Sequence, residues 1–187
     1  MPRAGLTTTR VVTEAGDLAD ENGYEQLTVA AVAHRLGVRQ PSLYKHIDSL
    51  EGLQRGISVQ AKRDLGEALA RATVGRAGAD AVRALADTYR SWVVAHPGRY
   101  AATVRAPAPD DEEDMRASDD VVQIVIDVLA GFDLRGNAAI DAARALRSAV
   151  HGFVTLETAG GFGLPRNPDR SFRFLIDSLI AGLQAAA

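Results

Sequence analysis

TVAAVAHRLGVRQPSLYKHI, residues 28–47, is the stretch whose reading decides the fold. Thr28 stands where a helix needs an N-cap, and its hydroxyl can accept a bond from an orphan N–H of the next turn. Val29, Val32, Ala33 and Leu36 recur at 3, 4 and 7 residues, which is one apolar face of a helix. Gly37 follows, where a helix stop needs a residue that tolerates positive φ. Val38 opens a turn and is expected to pack inward. Pro41 falls at a helix start, where its missing N–H costs nothing. Leu43 and Ile47 give a second helix its own apolar face, and Ala33 is small where two helices would cross closely. The pattern predicts a helix–turn–helix.

That assignment leaves Arg39, Gln40, Ser42, Tyr44, Lys45 and His46 pointing away from the core. Arg39 can pair bidentately with guanine and Gln40 with adenine, while hydroxyls and cations suit phosphates. An ordinary surface hairpin needs no such set, so residues 28–47 are expected to enter a DNA major groove, with Thr28 near a phosphate.

The surrounding sequence, LTTTRVVTEAGDLADENGYEQLTVAAVAHRLGVRQPSLYKHIDSLEGL (6–53), resembles the TetR family of one-component transcriptional regulators. The LT opening, the helix ending near Gly23, LTVAAVAHRLGV and PSLYKHI carry the resemblance. The family often has a phosphate-contacting Lys near the start of the fourth helix; here Leu50 stands there, and that contact is not carried over. AHPGRY (95–100) and HGFVTLETAGGFG (151–163) resemble the family's C-terminal class named for a Trp-His-Gly motif, with Val150 in the Trp position and only His151 and Gly152 matching. The resemblance implies an all-α chain of about nine helices: a three-helix DNA-binding domain, then a helical domain for ligand binding and dimerisation. The expected division is 1–50 and 51–187. The expected partners are double-stranded operator DNA, a small-molecule effector and a second copy of the chain.

Composition narrows the classes. The chain has 187 residues, 47% apolar and 24% charged, and is globular rather than disordered. Without cysteine it has no disulfide, thiolate nucleophile or thiolate metal site. No apolar run is long enough to span a membrane, and no signal peptide opens the chain, so the cytoplasm is the expected compartment. The net charge of −3 is unevenly spread: residues 1–63 hold eight Lys/Arg and seven Asp/Glu, and residues 64–187 hold 13 and 17. A half that is only weakly basic implies DNA contacts from a few placed residues rather than a broad cationic field.

Further along, residues 1–6 read as a short arm with Arg3. Thr7 or Thr8 caps a first helix with Val11, Ala15, Leu18 and Ala19 inward. Asp48 or Ser49 caps a fourth, which carries Leu50, Leu53, Ile57 and Leu65 and is weakened by Gly52, Gly56 and Gly66. Residues 72–79 read as a linker, 80–96 as a helix broken by Pro97-Gly98, and 99–103 as a short helical piece. APAPDDEED (106–114) reads as a solvated loop whose acidic residues also favour the N-terminus of the next helix. VVQIVIDVLAGF (121–132) is apolar almost all round and is expected to be buried. Residues 137–158 and 172–183 complete the helices.

Tyr89, Trp92, His96, Tyr100, Val125, Leu129, His151 and Phe153 are candidate ligand-pocket residues: large side chains, several with polar tips, in a helical domain. Phe172, Phe174, Leu175 and Leu179 widen the apolar stripe of the last helix and, with Glu157, are candidates for a dimer interface. His34, His46, His96 and His151 lack metal-ligand spacing, so no metal is expected. GGFG (160–163) follows a helix, has no preceding strand and lacks a third glycine, so it is no dinucleotide fingerprint. No cofactor is implied and no nucleophile motif occurs, so the chain is not expected to be an enzyme. A ligand-responsive repressor is the leading reading. An activator of the same fold, or a small helical carrier or enzyme with an incidental helix–turn–helix, are the alternatives.

Overall fold

Thr7 begins the ordered helices: its side chain accepts from the Arg10 N–H and caps α1, Thr8–Asn22. The computed structural model describes residues 5–185, and Arg3 lies outside them. A 3-10 turn at Tyr24–Gln26 leads into α2 (Val29–Leu36) and α3 (Gln40–Leu43). Then come α4 (Leu50–Thr73), α5 (Gly78–Ala95), α6 (Pro97–Thr103), α7 (Glu112–Leu129), α8 (Asn137–Thr158) and α9 (Pro168–Ala185), with a second 3-10 turn at Ala130–Phe132. The described residues are all helix and connection, as the periodicity predicts.

The helix signals act as expected. Thr28 Oγ1 accepts from the Ala31 N–H at 3.1 Å. Gly37 ends α2 at φ 65°, in the left-handed region that a side chain disfavours. Ser49 Oγ accepts from the Gly52 N–H at 3.0 Å and caps α4.

The chain gathers into two compact units: residues up to Arg63 with Ala95–Ser118, and Asp64–Val94 with residues from Asp119 onward. This division into compact units falls inside α4. The first unit has one core in which Val11, Val12 and Ala15 of α1 meet Val32, Ala33, Leu43, Ile47, Leu53, Ile57 and Ala102. In the second unit, Leu85, Leu129, Val150, Val154 and Phe172 are almost wholly buried.

Four sequence expectations need correction. The second helix does not reach Ile47: α3 ends at Leu43, and the Leu43 carbonyl then accepts from both His46 N–H (2.7 Å) and Ile47 N–H (3.0 Å), which tightens the chain into a turn. The connection at 72–79 shrinks, because α4 runs to Thr73 and α5 begins at Gly78. Helix α7 is one-sided rather than buried all round: Val128 and Leu129 are buried, but Val122 is 43% exposed. Gln123 and Asp127, one turn apart, bond to each other at 2.7 Å on its exposed side. Finally, the acidic residues at 112–114 are the first turn of α7, not a solvated loop.

Candidate nucleic-acid interface

The exposed face of the helix–turn–helix is built from what the core cannot use. Leu43 and Ile47 are buried and anchor the recognition turn from beneath. Arg39, in extended conformation, is the N-cap residue of α3, and Pro41 lies in its first turn. Arg39, Gln40, Tyr44 and Lys45 are exposed, while Ser42 and His46 are half-buried. Thr28 is exposed at the start of α2. All seven predicted residues therefore lie along α2's cap and the α3 turn. Arg39 and Lys45 enter no ion pair among the described residues, which leaves both cations available to phosphate or base.

Three groups that periodicity could not reveal hold this surface in place. Arg35 of α2 donates through Nε to Glu14 (3.0 Å) and through both terminal nitrogens to Glu21 (2.6 and 2.9 Å), fastening α2 to α1. The guanidinium holds the Glu21 carboxyl below its usual range. Thr8 donates to the His46 carbonyl at 3.2 Å, tying the end of the recognition turn to the start of α1.

The third group joins α6 to α1. Arg99, 9% exposed, donates to Asp17 (2.7 Å), to the Thr13 carbonyl (3.2 Å) and to Asp20. The Arg99 N–H also reaches Asp20, at 2.8 Å. Gly98 makes the approach possible: a Cβ there would lie 2.1 Å from the Ala19 carbonyl. His96 Nδ1 lies 3.3 Å from the same Asp20.

The expected pocket residues divide between the units. His96 and Tyr100 belong to the first, where Tyr100 is buried; Tyr89, Trp92, Val125, Leu129, His151 and Phe153 belong to the second. Leu129 is wholly buried, whereas Trp92, Val125 and His151 are half-buried. Phe153 packs 5.0 Å from Phe172 and 4.7 Å from Phe162, with the Arg90 guanidinium over the Phe153 and Phe172 rings. Arg90 also pairs with Glu157 and Asp169.

The predicted interface set divides as well. Phe172 is 1% exposed, buried within the protomer by its contact with Phe153, and Glu157 is engaged by Arg90. Phe174 is 75% exposed, and Leu175 and Leu179 are half-buried on α9. The sequence stripe merged two faces of α9, because 172, 176 and 180 differ from 175 and 179 by only a fraction of a turn.

Comparison with known proteins bears on this arrangement. Residues 6–55 match the family model described as bacterial regulatory proteins, tetR family, and residues 82–179 match the tetracyclin repressor-like C-terminal domain. The chain belongs to the TetR family of transcriptional regulators. The uncharacterized HTH-type transcriptional regulator Rv0681 of Mycobacterium tuberculosis is 39% identical over 97% of this chain and 83% of its own length. YobS, an uncharacterized HTH-type transcriptional regulator of Bacillus subtilis, is 31% identical over 97% of this chain and 95% of its own. A TetR variant from Acinetobacter baumannii, solved in complex with minocycline, shares the fold: TM-score 0.74, 23% identity, covering 97% of this chain and 98% of the other. This TetR-family chain is thus a DNA-binding regulator, and its family consists of regulators rather than enzymes. Among the described residues no helix is long and apolar enough to cross a membrane, and no group of side chains is arranged to hold a metal ion.

Proposed function

We propose that this regulator is a ligand-responsive repressor that acts in the cytoplasm as a homodimer on a palindromic operator. The observation that carries the reading is the recognition turn, where exposed Arg39, Gln40, Tyr44 and Lys45 stand over buried Leu43 and Ile47. Residues 1–50 are assigned to DNA and 51–187 to ligand binding and dimerisation. Arg39 and Gln40 read bases; Thr28, Ser42, Tyr44, Lys45 and His46 hold the phosphate backbone.

The effector is a small, largely apolar molecule. Half-buried Trp92, Val125 and His151, with buried Tyr89 and Phe153 in the same compact unit, support a helical domain that can admit one. The minocycline bound to the A. baumannii protein supports the same use of this fold. Dimerisation is assigned to α8 and α9: Phe174 leaves a large ring in water, and Leu175 and Leu179 are only half covered. A two-fold dimer sets two recognition turns about 34–36 Å apart, or a multiple of that.

The test is selection of bound DNA from a random pool, followed by release with a compound library. Recovery of a two-fold sequence, with affinity falling steeply in salt, is the expected result. A pool without enrichment, or sedimentation as a monomer at micromolar concentration, would sink the reading. An activator would bind the same DNA but raise rather than lower transcription from a reporter.

A further inference from the structure

The acidic run that follows Pro109 is bound to α4. Asp111 Oδ1 accepts from the Asp114 N–H at 3.0 Å and caps α7. The same carboxylate takes both arms of Arg55, at 2.5 and 2.6 Å. Glu113 bridges Arg55 and Arg63, each at 3.0 Å. One step deeper, Asp114 accepts from Lys62 Nζ at 2.6 Å and from Ser58 Oγ at 3.3 Å, and Lys62 and Asp114 are only 5% and 7% exposed. Residues 55, 58, 62 and 63 share one face of α4 at helical spacing. Another face of the same half-helix carries Leu53 and Ile57, which share a core with Leu43 and Ile47 beneath the recognition turn.

Every member of this cluster belongs to the first unit. A buried ion pair contributes little net stability compared with an apolar pair of the same size; its best-attested use is to fix register. The exposed rungs contribute little stability either. What the cluster does supply is geometry, since a bidentate guanidinium–carboxylate fork permits one orientation and the buried Lys62–Asp114 pair one depth. We propose that Asp111, Glu113 and Asp114 are positioning residues for DNA binding: they clasp the first half of α4, which in turn seats the recognition turn. The inference rests on the DNA-reading assignment above.

The full-length variant D111N/E113Q tests it. Asn preserves the helix cap, so charge is what changes. Affinity is measured for the DNA selected from the random pool, alongside Tm and hydrogen exchange of α4. The clasp predicts binding at least about fivefold weaker, Tm within about 3 °C of wild type, and an unchanged salt slope because no phosphate contact is lost. It also predicts faster exchange of amides 50–63, with those of α1 unchanged. Removing two negative charges through general electrostatics alone would tighten DNA binding instead. Unchanged or tighter binding, or weaker binding with an altered salt slope, therefore overturns the proposal. If wild type selects no DNA, the functional reading fails separately. Exchange then decides the clasp alone: faster exchange confined to 50–63 supports it, and unchanged exchange overturns it.

Discussion

The recognition turn and the α1–α6 joint belong to one compact unit and are built on opposite rules. In the turn, Arg39 and Lys45 are exposed and enter no ion pair among the described residues. In the joint, Arg99 is buried and its guanidinium bonds to Asp17, Asp20 and the Thr13 carbonyl. The first arrangement keeps charge available for a partner, and the second uses it up within the fold. A substitution in the turn should therefore cost binding with the fold intact, and one in the joint should cost the fold itself.

The largest effect is expected at Gly98. A methyl there meets the Ala19 carbonyl and the Asp20 N, backbone atoms that cannot swing aside. Gly98→Ala is expected to lose about 3 kcal/mol or more, at the upper end for overpacking, and a denaturant midpoint measures it. Wild-type stability in this variant would mean that α6 does not approach α1 this closely at Gly98 in solution.

Next come the reading residues. Arg39→Ala or Gln40→Ala is expected to cost about 1–3 kcal/mol at one base pair and to relax preference there, with an unchanged melting curve. Lys45→Ala should weaken all sequences alike and make the salt dependence shallower by about one. Base-resolved binding of all three variants checks this; if all bind as wild type does, the comparison breaks on the DNA side. Thr28 belongs to both regimes, since it caps α2 and is one of the residues proposed to meet DNA. Thr28→Ala is expected to lose about 1 kcal/mol of stability, and Thr28→Ser, which keeps the cap, to lose less.

The smallest effect is at the α4–α7 clasp. Arg55 first, then the Asp114 N–H, pull Asp111 from its ordinary 3.8 down to about 2. A carboxyl depressed in the folded state adds stability that is complete above its unfolded value and is lost as pH falls through its folded one. The window is therefore about pH 4 down to about 2. Asp111→Asn should flatten the stability slope there and leave it unchanged near neutrality. Identical acid limbs for variant and wild type would show that the Arg55 pairing is not maintained in solution.

How much of this could be read in the sequence depended on the kind of signal. Thr28, Gly37 and Pro41 act on their immediate neighbours, so their roles in capping, stopping and starting a helix were visible in the chain. The outward set at 39–46 followed from the buried positions between them. Ion pairs were not visible: Arg35 with Glu14, Arg99 with Asp17 and Arg55 with Asp111 join residues 21, 82 and 56 positions apart. A charge in a sequence does not name its partner, so APAPDDEED read as loop when its last residues grip α4. Apolar periodicity likewise finds a face without saying what covers it. Phe172 lies on the stripe and Phe174 off it, yet both are assigned to a partner, although one is buried and the other stands in water.

The helix proposed to face DNA is four residues long, Gln40–Leu43, and only Leu43 of it is buried. An isolated turn of that length cannot support itself, so its shape is inherited from the core around it. Inheritance of this kind separates two evolutionary variables. On the assignment proposed above, mutations at positions 39 and 40 rewrite the sequence that is read, and those at 44 and 45 change affinity for the backbone, without disturbing any buried side chain. A lineage carrying duplicate copies of this gene could therefore diverge in target while keeping one foldable scaffold.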